Sequence, residues 1–468
     1  MHELNEKCGV FGIYGKGMDV ARITFFGVLA IQHRGQESAG MAVADGTRLE
    51  CQKGNGLITQ VFDDAKIDNL KGHIAIGQNR YSTSSGTGIR HAQPIMTEDG
   101  RIALAHNGNL PSVKVLEEFL KKEGVDTAAR SDSYMMTLAV EHFIKQGCSL
   151  EEAVRSAYPL FTGSFSLLIM DKTTLVAARD PYGLKPFSMG QLNGGFAFSS
   201  ETCSFPSVGA TFMRDVLPGE MIVVDKKGMR SIQLVPPDQK LDIFEFVYFA
   251  RSSSILLGTS VYAARKRCGI ELARERKIDA DMVIPIPETG IPGAVGYSEA
   301  SGIPLELALV KNRYVYRTFI DPDDRMRKQG VKTKLAAIPD IVGGKRAIVI
   351  DDSIVRGNTS PQIVKILFEA GAKEVHFLVN SPPVRFPDFY GIDTPRQASL
   401  LAFQKTIPEI REFLGATSLH YLSYQGILRG IGVPEDKLCT SCFTGKYPLD
   451  IRERKAEVGI PALQETWA

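Results

Sequence analysis

Three continuous apolar runs in the second half of the chain, Met282 to Ile286, Ala347 to Ile350 and Val375 to Val379, constrain the fold most. A strand that alternates polar and apolar residues can leave one face in water. An unbroken apolar strand has to be covered on both faces, as in a parallel sheet. Helical stretches lie between the runs, notably Val261 to Arg276 and Pro361 to Ala370. This alternation predicts an α/β domain with a parallel sheet.

The first half follows a different pattern. Short candidate strands at Gly9 to Tyr14, Met41 to Ala44, His73 to Gly77, Ile102 to His106, Ser164 to Met170 and Met221 to Val224 are separated by turns. Helical periodicity is confined to Val20 to Ile31, Val113 to Lys122 and Ser133 to Lys145. Strands and helices in separate runs predict layered α+β packing. A length of 468 residues exceeds what one hydrophobic core usually serves, so two domains are expected. The boundary is placed in Leu234-Val-Pro-Pro-Asp-Gln-Lys-Leu241, because paired prolines stop both helix and ladder.

Composition excludes several functional classes. A net charge of +2 gives no electrostatic case for nucleic acid or an anionic membrane. No stretch approaches eighteen consecutive apolar residues, so no membrane span is expected. Residues 1–7 are polar and carry no apolar core of a secretory signal. Seven cysteines, two of them in Cys439-Thr-Ser-Cys442, do not resemble a disulfide framework and fit a reducing cytoplasm.

The most specific segment is Ala347-Ile-Val-Ile-Asp-Asp-Ser-Ile-Val-Arg-Gly-Asn-Thr-Ser360. An apolar strand runs into two carboxylates, then into a polar loop containing Gly357. Thr359 or Ser360 can cap the next helix, with Pro361 in its first turn. Loop amides at such a helix start attract a phosphate, and the carboxyl end of a parallel strand is where α/β sheets bind ligands. Asp351 and Asp352 can accept hydrogen bonds from ribose hydroxyls and help organise Mg²⁺.

This pattern resembles the phosphoribosyl pyrophosphate (PRPP) signature of type I phosphoribosyltransferases. The resemblance implies that Asp351 and Asp352 hold the ribose hydroxyls. It implies further that Ser353 to Thr359, including Arg356, Gly357 and Asn358, bind the 5-phosphate. Ile284-Pro-Ile-Pro-Glu-Thr-Gly290 matches the pyrophosphate turn, where Thr289 joins Asp351 and Asp352 near one Mg²⁺ per subunit. The basic stretch with Arg313, Arg317, Arg325, Arg327 and Lys328 matches a lid that closes over PRPP. Tyr316 stands where the family usually has glycine.

Cys8 precedes a glycine-bearing run and, taken alone, reads as a core thiol. Four separate segments change that reading: Gln32 to Gly40, Asn79 to Thr83, Ala105 to Leu110 and Arg130 to Asp132. Together they supply what glutamine hydrolysis requires. Arg80 can clamp the substrate carboxylate and Asp132 its ammonium. The Asn107 side chain and the Gly108 N–H can meet the oxyanion. A nucleophile's own α-amine can serve as base, which leaves His106 a structural role.

These segments resemble, in order, the class II glutamine amidotransferase domain, an N-terminal-nucleophile hydrolase with an αββα sandwich. The resemblance implies Cys8 as nucleophile, Asn107 and Gly108 as oxyanion hole, and Arg80 and Asp132 as glutamine ligands, with Arg34 and Thr83 ordering the glutamine site. Because Cys8 is internal, it also implies a propeptide at 1–7, followed by a glutaminase domain at 8–240. A phosphoribosyltransferase domain with a C-terminal helical segment follows at 241–468.

The two domains in this order are similar to the glutamine PRPP amidotransferase family. That resemblance implies synthesis of 5-phosphoribosylamine at the start of de novo purine synthesis, purine nucleotide feedback, and a homo-oligomer (dimer or tetramer) in the cytoplasm. One departure stands out. Many propeptide-bearing relatives hold a [4Fe–4S] cluster on four cysteines, and the matching residues here are Asp242, Asp388, Asp436 and Cys439. Carboxylates replace thiolates poorly at such clusters, so no cluster is expected. The rival class, a PRPP-sensing regulatory protein without turnover, conflicts with intact candidate residues at both sites.

Overall fold

The computed structural model describes residues 8–81, 88–128, 130–312, 335–390 and 396–459. Two antiparallel sheets fill the first half. One runs in the order Thr211–Asp215, Ser188–Leu192, Gly195–Ser199, Gly9–Tyr14, Ile74–Arg80, Ser38–Ala44, Leu49–Asn55. The other runs Gly228–Gln233, Glu220–Asp225, Leu175–Arg179, Ser164–Met170, Ala103–Asn109, Ile95–Met96.

Alternation along the strands decides which face goes where. Val10, Ile74 and Ile76 point from the first sheet into one buried cluster with Ala105, Leu168 and Ile222 of the second. The residues next in line, Phe11, Ile13 and Ala75, turn outward under helix Val20–Ala30. On the far side, Leu104, Leu167 and Val223 meet helices Lys114–Lys122, Asp132–Lys145 and Leu150–Ala157. The layers are therefore helix, sheet, sheet, helix.

The three apolar runs pair in parallel as expected. Arg346–Asp351 lies between Met282–Pro285 and Glu374–Val379. A fourth strand, Ser418–Tyr421, extends the sheet beyond Glu374–Val379. Val283, Ile348 and Leu378 face helices Val261–Glu275 and Ile291–Ser301. Ile284, Val349 and Phe377 face helices Ser360–Glu369 and Ile407–Leu414. Both faces are covered, which is why these strands carry no polar alternation.

The two halves meet through buried charges. Lys185 Nζ lies 3.0 Å from Asp242 Oδ2, and neither side chain is more than 3% exposed. Leu241–Asp242 also pairs in parallel with Leu438–Cys439, tying the start of the second half to the C-terminal region. Burial works against the Lys185 charge, but Asp242, Glu245 and Asp388 outweigh it and hold the ammonium on. Lys185→Met leaves Asp242 without its buried counter-charge and should destabilise the protein by about 3–5 kcal/mol in chemical denaturation.

Candidate active site

Cys8 sits at the entry to the central strand Gly9–Tyr14, half buried. It lines a pocket with Arg80, Gly108 and Asp132, so four segments distant in sequence meet at one thiol. Arg80 ends strand Ile74–Arg80 and is buried. Asp132 opens helix Asp132–Lys145 behind its N-cap Ser131, where a carboxylate is favoured by the helix dipole. Its oxygens accept from Ser133 N at 2.6 Å and Leu110 N at 3.3 Å, which fixes its aim.

Gly108 lies on strand Ala103–Asn109 at φ +152°, and a Cβ there would stand 2.0 Å from the Ser164 carbonyl oxygen. Gly108→Ala must push that ladder apart. The expected result is a stability loss of about 1–3 kcal/mol by calorimetry, with glutamine hydrolysis reduced far more than ammonium-dependent synthesis. Asn107 is buried outside the pocket wall, with its Nδ2 given to Ser200 Oγ at 3.1 Å.

His106 forms part of the wall. Its Nδ1 lies 2.9 Å from Ser133 Oγ and its Nε2 3.3 Å from the Ser164 carbonyl. Burial lowers its pKa against the opposing pull of Asp132, so the ring is braced and neutral. Gln93 was not singled out by the sequence. Its Oε1 accepts from His106 N at 2.7 Å and its Nε2 donates to Ser133 Oγ at 3.1 Å, bracing the same wall.

Arg34 stands behind the pocket, not in its lining. Its Nε donates to the Cys8 carbonyl at 2.9 Å, and its remaining contacts are to Glu201 and Glu245. It therefore holds the Cys8 backbone and points away from the pocket. Thr83 lies outside the described residues, as do residues 1–7 and the 313–334 segment with Arg313, Tyr316, Arg317, Arg325, Arg327 and Lys328.

The second constellation lies at the carboxyl end of the parallel sheet. Asp351 ends strand Arg346–Asp351, and Asp352 follows it, 7% exposed. Asp352 Oδ1 accepts from Ser353 Oγ at 2.7 Å and its Oδ2 from Thr289 Oγ1, while its N–H donates to Asp351 Oδ1 at 2.9 Å. The Thr289 turn follows the neighbouring strand Met282–Pro285. Gly357, at φ +72°, bends the loop back toward helix Ser360–Glu369. Thr359 is the N-cap, but its side chain makes no capping bond. Arg356 is half buried and Asn358 exposed.

Among the described residues, no three His, Cys, Asp or Glu side chains gather as a metal cage. Asp242, Asp388 and Cys439 are buried, whereas Asp436 is exposed in the turn Glu435–Lys437. Burial, then Asp388 and Asp242, push the Cys439 thiol up; burial with the same carboxylates raises Cys442. Both therefore hold their protons in this state. No helix among the described residues is long and apolar enough to cross a membrane.

A sequence profile of the glutamine amidotransferase domain matches residues 80–206. The amidophosphoribosyltransferase of Bacillus subtilis is 43% identical, covering 96% of this chain and 95% of that protein. The one from Synechococcus elongatus is 44% identical over 96% and 92%. The solved glutamine PRPP amidotransferase of B. subtilis, complexed with ADP and GMP, superposes with a TM-score of 0.88 at 42% identity, covering 95% of this chain and 98% of that one. Identity at this level, spread over both halves of the chain, places it in the amidophosphoribosyltransferase family.

Proposed function

We propose that the protein converts glutamine, PRPP and water into 5-phosphoribosylamine, glutamate and pyrophosphate, opening purine synthesis. The observation that supports this reading is two separate constellations in one chain. A thiol pocket with an arginine and a carboxylate occupies the first half, and paired aspartates at the carboxyl end of a parallel sheet occupy the second.

Residues 8–240 serve as the glutaminase domain and 241–468 as the phosphoribosyltransferase domain. Removal of residues 1–7 frees the Cys8 amine. That amine takes the thiol proton as Cys8 Sγ attacks the glutamine amide carbon, then passes it to the departing ammonia. Water hydrolyses the thioester to glutamate. Arg80 binds the substrate carboxylate and Asp132 its ammonium, while the Gly108 N–H and Asn107 receive the developing oxyanion. Asn107 gives one Nδ2 hydrogen to Ser200 and keeps the second for the oxyanion. Arg34 and Thr83 order the pocket.

At the second site, Asp351 and Asp352 take the ribose hydroxyls. Ser353, Arg356, Gly357, Asn358 and Thr359 surround the 5-phosphate, where the uncapped helix start favours an anion. Ammonia attacks C1 of PRPP and pyrophosphate leaves. The oxygens of Thr289, Asp351 and Asp352 suit one Mg²⁺ per subunit that keeps most of its shell from water and substrate, and its charge would ease pyrophosphate departure. No [4Fe–4S] cluster is part of this reading. The basic stretch from Lys311 to Lys328 is assigned the lid.

ADP and GMP bound to the B. subtilis relative support purine nucleotides as feedback ligands here. A cytoplasmic homo-oligomer, dimer or tetramer, completes the proposal. The test is pyrophosphate release from PRPP and Mg²⁺ with glutamine or ammonium as donor. Release with both supports the enzyme. Release with neither, from protein lacking residues 1–7, replaces it with the PRPP sensor.

A further inference from the structure

Arg34 is among the largest fully buried side chains of the protein, and it joins segments far apart in the chain. One edge of its guanidinium faces the nucleophile, with Nε donating to the Cys8 carbonyl at 2.9 Å. The opposite edge grips Glu245 with both terminal nitrogens, Nη1 at 2.9 Å and Nη2 at 2.8 Å. Nη1 also donates to Glu201 at 2.6 Å. Neither carboxylate is exposed at all. A bidentate pair in a dry site is directional, so the place of Glu245 sets the plane of Arg34 and hence the Cys8 carbonyl.

Glu245 comes from the other half of the molecule. It opens the π-helical turn Glu245–Phe249, whose backbone is held in turn by Arg265. Arg265 Nε donates to the Phe246 carbonyl at 2.7 Å and its Nη2 to the Ala250 carbonyl at 2.9 Å. Arg265 itself lies on helix Val261–Glu275, where its carbonyl accepts from Asn380 Nδ2 at 3.0 Å. Asn380 N then donates to the Asp351 carbonyl at 2.8 Å. The turn is thus anchored to the same carboxyl end of the parallel sheet that carries the paired aspartates.

We infer that Glu245 is a positioning residue for glutamine hydrolysis, contributed by the phosphoribosyl half of the chain and acting through Arg34 on the Cys8 backbone. It touches no substrate. Its effect is on where Sγ and the α-amine stand relative to the amide carbon, so it should alter turnover and not glutamine affinity. Reacting groups displaced by about 1 Å can lose on the order of 10² in rate. The inference rests on Cys8 being the nucleophile.

Glu245→Gln keeps the side-chain shape but turns one acceptor into a donor facing Arg34. The experiment measures kcat and KM for glutamine, and ammonium-dependent synthesis, in wild type, Glu245→Gln, Glu245→Asp and Cys8→Ala. The expected result is a fall in glutamine kcat of at least about tenfold in Glu245→Gln. KM for glutamine and the ammonium-dependent rate should stay within about twofold of wild type, and Glu245→Asp should recover part of the lost kcat. An equal loss with both donors, a rise in KM at unchanged kcat, or a wild-type kcat would each overturn the inference. Cys8→Ala separates the two assignments. Glutamine-dependent turnover in that variant refutes the nucleophile itself, whereas a dead Cys8→Ala beside a fully active Glu245→Gln refutes only the role of Glu245.

Discussion

Cys8→Ala protein should make no phosphoribosylamine from glutamine yet retain ammonium-dependent synthesis within about twofold of wild type. Glutamine hydrolysis should fall by at least ~10⁴-fold, the scale seen when a covalent nucleophile is removed from a site that still binds substrate. The physical reason is the separation of the two sites. Cys8 contacts the Arg80, Gly108 and Asp132 pocket, and nothing in that pocket lines the Asp351–Asp352 edge. The residue is small and half buried, so loss of Sγ leaves little cavity behind. Parallel assays of glutamate and pyrophosphate check both halves of the expectation.

Asp352→Asn should produce the complementary pattern, with synthesis lost for either donor. Asp352 is buried and accepts from both Thr289 and Ser353. An amide of the same shape offers one accepting oxygen where the carboxylate offered two, and its NH₂ faces a hydroxyl donor. The charge that would hold ribose hydroxyls and a cation is gone as well. The expected fall in kcat/KM for PRPP is on the order of 10²–10³, or about 3–4 kcal/mol of transition-state stabilisation. Glutamine hydrolysis measured without PRPP should persist. Steady-state kinetics with each donor decides whether the loss follows PRPP, as expected, or glutamine.

Much of the second domain was legible because its strands are buried on both faces. Unbroken runs such as Ala347 to Ile350 have few other readings, and the acid pair at the end of that strand falls where the sheet opens. Ser418–Tyr421 was not legible, since an alternation only four residues long does not stand out from its surroundings. In the first half, Leu49–Asn55 and Gly228–Gln233 were missed because as edge strands they are rich in polar residues and only partly buried. Gln93, Glu201 and Glu245 were missed for another reason. Each acts through tertiary contacts to residues far away in sequence, and no local motif marks a buried acid that grips Arg34. Arg34 itself was found by motif, but its orientation away from the pocket came only from the fold.

The central claim is that one chain couples glutamine hydrolysis to phosphoribosyl transfer. The most direct test is simultaneous measurement of glutamate and pyrophosphate from wild-type protein, processed to begin at Cys8, with glutamine, PRPP and Mg²⁺. Equal amounts of both products at every time point are predicted. Glutamate without pyrophosphate, or pyrophosphate formed from ammonium but not from glutamine, would contradict the account.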